Sequence, residues 1–240
     1  MLSNAVRFIP LLLSRVADFA VPQDCFVCGN EAGREALCAA CAAALPRRPG
    51  TACPQCALPA LGEGPCGACL REGPAYDATR ALYDFAFPVD AMVHALKYRH
   101  RLALSDFFAA ELAARAGDFG ASADLVLPMP VHPRRLAERG FNQAVELARP
   151  FARARGLPLA LSLVGKTRNL PAQAGLGRAA RLRNPHGAFA CSAELGGRRV
   201  IVVDDVMTTG ATLDALARCL KQRGAAWVGN LVVARTPAPY

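Results

Sequence analysis

The stretch Val200–Leu213, reading VIVVDDVMTTGATL, constrains this chain more than any other. Val200 to Val203 is an uninterrupted β-branched run, the composition of a strand buried on both faces. Two acids follow, Asp204 and Asp205. A loop of small and hydroxyl-bearing residues comes next: Thr208, Thr209, Gly210, Ala211 and Thr212. Leu213, Leu216, Ala217 and Leu220 then fall on one helical face, and Gly224 suits the end of that helix. A strand, a hydroxyl-and-glycine loop and a helix N-terminus form a phosphate cradle. Backbone N–H groups at the helix start aim at the anion, and the dipole favours negative charge there. The acids alone would repel a phosphate, so they must face hydroxyls or a metal. The whole fits a ligand with a 5-phosphate at one end and a ribose 2,3-diol at the other.

The cysteines form a second pattern. Cys25, Cys28, Cys38 and Cys41 read C-x2-C-x9-C-x2-C, and Cys53, Cys56, Cys66 and Cys69 repeat it 28 residues later. Pairs separated by two residues bring two thiolates from one tight turn to one metal ion, and four such ligands close a tetrahedral structural zinc site. Two zinc ions are expected, structural because every ligand position is a cysteine. The ligands can be shared in two ways, as consecutive ribbons or as an interleaved cross-brace; the short spacer favours the consecutive arrangement. Cys191 and Cys219 lie outside the repeat and are expected to be packing thiols.

The chain has 240 residues, is 53% hydrophobic and carries a formal charge of +9, which supports a sizeable core and an anionic partner. Residues 1–21 carry Val6, Ile9, Leu13 and Val16 at helical spacing, with Arg7, Arg15 and Asp18 between them. The spacing predicts an amphipathic packing helix, too short and too charged to span a bilayer and without a good cleavage site for a leader. After a Pro/Gly-rich linker at Leu70–Pro74, a strand is expected over Thr79–Phe87 and helices over Val89–Tyr98 and Leu102–Ala116. Leu125–Leu127 reads as a short buried strand. It feeds a stiff loop, Pro128-Met-Pro-Val-His132, followed by Arg134, Arg135 and Arg139. Such a loop at a strand's C-terminal end is where α/β sheets place ligand contacts. A helix over Phe141–Arg153 should be kinked or split by Pro150. Lys166 to Asn184 is basic and contains glycines; it reads as a flap able to close over an anion, with Lys166, Arg168, Arg178, Arg181 and Arg183 as its cations. Gly165-Lys-Thr167 is not a P-loop, because the glycine required upstream is Ala160. Trp227–Ala234 is expected to be the last strand.

The stretch opening at Val200 resembles the phosphoribosyl-pyrophosphate (PRPP) motif of type I phosphoribosyltransferases. With the doubled cysteine unit, Leu96-Lys97-Tyr98, the Pro128–His132 loop, Arg139-Gly-Phe-Asn-Gln143, Arg183-Asn184, Gly187-Ala-Phe189 and Ala234-Arg235, the chain from Cys25 onward is similar to the ComF family. The resemblance implies a type I phosphoribosyltransferase-like parallel sheet flanked by helices, over 76–240, and a small N-terminal double zinc ribbon, over 22–72. It implies PRPP and Mg²⁺ as ligands. Asp204 and Asp205 would serve the ribose hydroxyls, directly or through metal-bound water. Thr208, Thr209, Gly210, Ala211 and Thr212 would hold the 5-phosphate. His132, Arg134 and Arg135 would hold the pyrophosphate, and Lys166 would close over it. Asp204, Asp205 and Lys166 are thus the expected catalytic residues. The resemblance also implies a cytoplasmic protein, at most peripheral to the inner membrane face, that supports uptake or use of single-stranded DNA. The alternative is a non-catalytic PRPP sensor that binds single-stranded DNA and recruits a helicase; with aromatic content at 7%, stacking platforms for bases are not obvious. A zinc-dependent transcription factor lacks a recognisable recognition helix.

Overall fold

The computed structural model describes residues 23–48, 51–60, 62, 64–167 and 187–237. The helix expected over 1–21 and the flap residues Arg168, Gln173, Arg178, Arg181, Arg183 and Asn184 lie outside the described residues.

Two short helices, α1 (Ala39–Ala43) and α2 (Gly67–Arg71), each start immediately after the third cysteine of a repeat. Beyond them a four-stranded parallel sheet is built from β1 (Ala78–Asp84), β2 (Leu125–Pro128), β5 (Arg199–Met207) and β6 (Trp227–Arg235), in the order β1-β6-β5-β2. Helices α3 (Val89–Arg99), α4 (Ala103–Arg115), α5 (Pro133–Arg139) and α6 (Gln143–Arg155) connect β1 to β2 and follow β2. Strands β3 (Val164–Lys166) and β4 (Phe189–Cys191) pair antiparallel and frame the expected flap. Helix α7 (Ala211–Gln222) joins β5 to β6.

The apolar run in β5 explains the layering. Ile201 and Val203 face one core with α3, α4 and α6; Val200 and Val202 face the other, with α7 and the β3–β4 pair. All four are at most 1% exposed, so the strand is covered on both faces as its composition requires. β5 also runs further than expected, through Asp204, Asp205, Val206 and Met207. The acids are therefore on the strand's C-terminal end rather than in the loop beyond it, and neighbouring β6 continues alongside to pair Met207 with Arg235.

Helix α6 is a second difference. It passes through Pro150 without a break. Pro150 supplies no N–H to the carbonyl four residues earlier, yet Leu147, Ala148, Phe151 and Ala152 are at most 2% exposed in the core. Burial of that stripe outweighs one missing hydrogen bond.

Candidate functional site

β2 and β5 are neighbours, but the helices that follow them pack on opposite faces of the sheet. Diverging connections open a crevice at the strands' C-terminal ends, the usual ligand position in such sheets. A cleft lies there, lined by the β2 loop (Met129 to His132), Arg135, Arg139 and Gln143, by Lys166, and by Asp204 to Thr208 with Gly210 to Leu213.

The Thr208–Thr212 loop, expected to hold the 5-phosphate, makes a glycine turn into α7. Gly210 has φ +84° and caps α7; a Cβ there would lie 2.7 Å from Met207 Cε and 2.8 Å from Tyr76 Oη. Only glycine satisfies both the backbone and the space. Gly210, Ala211, Thr208 and Thr212 line the cleft. Thr209 does not; its Oγ1 accepts from the Ala211 N–H at 3.3 Å, shaping the turn.

The two acids differ. Asp205 is 4% exposed, and Lys97 Nζ of α3 lies 2.8 Å from its Oδ2. Asp204 keeps some contact with solvent through the cleft. Burial and then the neighbouring Asp205 charge push its carboxyl up to about 7, although Lys97 and Lys166 oppose the rise. Lys166, on β3, is held below the usual lysine range by burial; Asp204 counters this and Arg135 adds to it. Lys166, Asp204 and Arg135 thus feel one another across the cleft, and the ring of Phe189 lies 5.5 Å beneath the ammonium.

On the β2 side, His132 caps α5, its Nδ1 accepting from the Arg134 N–H at 3.2 Å. Arg135 lines the cleft. Arg134 turns outward, its Nε 3.3 Å from Glu138, with 73% of the side chain exposed. Asn142 caps α6 through Ala144 N and ties the helix to Met129 O at 3.1 Å. Arg139 stacks over Tyr98, 5.2 Å from the ring centre, and donates to Gln143 Oε1. Arg139, which the sequence marks as a cation after the stiff loop, lines the cleft with Gln143, and Lys97 reaches the site through Asp205. For Lys97 and Gln143 the signal is a charge or an amide on a helix that carries a buried apolar stripe.

The eight repeat cysteines form two clusters, Cys25/28/38/41 and Cys53/56/66/69, with all four ligand atoms of each within 4.8 Å of one another. The ligands are therefore shared consecutively, not interleaved. Cys28 and Cys38 sulfurs are 3.8 Å apart and those of Cys56 and Cys66 3.7 Å, close to the roughly 3.8 Å edge of a tetrahedron with Zn–S bonds of about 2.3 Å. Cys53 Sγ accepts from the N–H groups of Cys56 and Cys66. Burial raises its pKa, but those donors prevail and bring the thiol down to about 7, suited to thiolate ligation. All ten cysteines are free. Cys191 is buried in the core and Cys219 packs beside it, its thiol raised by burial, in keeping with packing roles.

A double zinc ribbon domain model matches residues 16–70, and a phosphoribosyl transferase domain model matches residues 136–240. DNA utilization protein YhgH of Shigella flexneri is 34% identical over 224 residues, covering 90% of this chain and 98% of that protein. Competence protein F of Haemophilus influenzae is 28% identical over 66% of this chain and 73% of its own length. Competence protein ComFC of Bacillus subtilis is 28% identical over 84% and 85% respectively. The chain belongs to the ComF family. Like its ComF relatives it is a phosphoribosyltransferase-like protein, and its two four-cysteine zinc-binding sites form the double ribbon of this ComF member. Among the described residues no helix is long and apolar enough to cross a membrane.

Proposed function

We propose that the cleft binds PRPP and that the chain acts as a phosphoribosyltransferase on an acceptor yet to be identified. The observation that carries this is the meeting, in one crevice, of Asp204, Asp205 and the Thr208–Thr212 loop with His132, Arg135 and Lys166. The 5-phosphate takes the backbone N–H groups at the start of α7 and the hydroxyls of Thr208 and Thr212. Asp204 and Asp205 accept from the ribose hydroxyls and face the anomeric carbon as positive charge builds there. His132 and Arg135 hold the pyrophosphate, and Lys166 approaches from β3 to balance its charge as it leaves. Two carboxylates flanked by two lysines suit magnesium held chiefly by the ligand's own oxygens, where it would neutralise the departing pyrophosphate.

The relatives' names, DNA utilization protein and competence protein, support a role in handling incoming single-stranded DNA. A groove between the ribbons and β1, lined by Arg47, Arg80, Arg115 and Phe119, suits a phosphate backbone with a ring for stacking. Eight cysteines grouped as two zinc sites favour the cytoplasm, where thiols stay reduced.

The test is PRPP titration by calorimetry, followed by pyrophosphate release across a panel of nucleobases, amines and water. Binding with release supports transfer. Binding without release favours a sensor, and absence of binding removes both.

A further inference from the structure

The two zinc ribbons are alike in sequence but not in what they touch. The first packs its Cys25, Leu37 and Leu45 into the core shared with α3, α4 and α6. The second lies against the phosphate loop, and one groove is lined by Cys56, Cys69, Thr209, Gly210 and Arg235 together.

Arg235 makes the connection. It ends β6, is 4% exposed, and sits between the second metal knuckle and the loop. Its Nε donates to Cys56 O at 3.0 Å. Its Nη1 donates to Met207 O at 3.1 Å and to Thr208 O, the two residues where β5 turns into the phosphate loop. A planar guanidinium with several donors in fixed directions can hold two backbone segments at a set spacing, which a lysine cannot. Two further ties run in parallel. Gln55, inside the knuckle, donates to Pro74 O and Tyr76 O, and Tyr76 Oη closes over Gly210. The Ala75 N–H donates to Asp214 in the first turn of α7 at 2.6 Å.

We infer that the second four-cysteine site positions the phosphate loop through Arg235, so that zinc held by Cys53, Cys56, Cys66 and Cys69 sets ligand affinity in the cleft while the first zinc does not. Without the ion the Cys53–Cys56 turn loses its fixed shape, the Cys56 carbonyl moves, and Arg235 no longer holds Thr208 against α7. Arg235 is a positioning residue: it lines the groove behind the loop and not the cleft itself. This inference rests on the reading of the loop as a phosphate site only for its affinity readout.

Amide hydrogen exchange over residues 207–212 reads the loop without any ligand. In full-length protein, Cys69→Ser should release one zinc per chain and lower protection of that segment, and Arg235→Gln should lower it with both zinc ions retained. The double variant should lose clearly less protection than the sum of the two single losses, because both variants act through Arg235 while the Gln55 tie runs beside it. Cys41→Ser, at the first site, should release one zinc and leave the segment's protection unchanged. PRPP affinity should follow, falling about tenfold in Arg235→Gln and Cys69→Ser. Additive losses in the double variant, or equal losses from Cys41→Ser, would overturn the inference. Failure of the parent protein to bind PRPP would remove the transferase reading and leave the exchange result to decide the coupling. Should Cys69→Ser not fold, Arg235→Lys, which keeps all eight cysteines and the charge but not the planar fork, should still reduce protection of the same segment; no change there would count against the inference.

Discussion

Lys97 Nζ, on the helix that follows β1, lies 2.8 Å from Asp205 Oδ2 at the end of β5. The pair lacks hydrogen-bond alignment at that oxygen, so the lysine acts mainly as a charge. Asp205 is nearly sealed from water, and an ionised carboxylate there needs such a partner. Lys97→Met should leave Asp205 uncompensated and cost about 1–3 kcal/mol of folding stability. Asp205→Asn removes the need for the lysine, so adding Lys97→Met to it should cost much less. Denaturant titration of the two single variants and the double variant checks this, and Asp205→Asn should abolish PRPP-dependent turnover.

Asp204 shows the opposite balance. Burial and the Asp205 charge lift its carboxyl to about 7, above the ordinary aspartate value of the unfolded chain. Between those two values the folded protein holds a proton that the unfolded chain has lost. Stability must therefore fall as pH rises toward 7, and stay reduced above it. Asp204→Asn should relieve that cost. At pH 8 it should melt higher than the parent by a few degrees, at about 2–4 °C per kcal/mol for a chain of this size, while near pH 4 the difference should shrink. The same variant should bind PRPP less well, since an amide is a poorer acceptor for ribose hydroxyls. Thermal melts across pH, paired with calorimetry, separate the two effects.

Gly210 couples backbone conformation to space. At φ +84° a non-glycine residue carries about 1–2 kcal/mol of strain, and its Cβ would press on Met207 Cε and Tyr76 Oη. Gly210→Ala should destabilise the protein by at least that strain and displace the N–H groups that begin α7. PRPP affinity should fall more than the loss of stability alone would suggest. Calorimetry at a temperature where the variant remains folded provides the measurement.

What the sequence made legible was local. The β5 run, the glycine turn and the doubled cysteine spacing each carry their meaning within a few residues, and each appears in the structure where its pattern put it. The place of His132 and Arg135 at the cleft was legible because a stiff segment leaving a buried strand has few places to go. Lys97 and Arg235 were not, because their partners are distant in the chain: Lys97 meets Asp205, and Arg235 meets Cys56. A lysine on an amphipathic helix and an arginine at a strand end look like solvated charges until the sheet brings their partners alongside. Pro150 misled for a related reason, since the rule for a single proline ignores the stripe buried around it. The extension of β5 over both acids was hidden because carboxylates rarely end a buried strand unless a cleft opens above them.

Arg134 and Arg135 stand side by side in sequence and were equivalent candidates for pyrophosphate. The fold separates them. One helical step is about 100°, so adjacent residues on α5 cannot share a face. Arg135 turns into the cleft beside Lys166, while Arg134 pairs with Glu138 one turn along the helix, in solvent. An exposed pair of that spacing contributes about 0.3–0.5 kcal/mol. Arg134→Ala should therefore change stability by no more than that, and its affinity for PRPP should stay within about twofold of the parent's, a difference of ~0.4 kcal/mol. Arg135→Ala should weaken PRPP binding by about tenfold or more, because a charge-assisted contact to the pyrophosphate is lost. Its salt dependence should fall as well, since one cation fewer meets the ligand. Titrations of both variants at two ionic strengths check the pair; equal losses would place the pyrophosphate outside the cleft between β2 and β5.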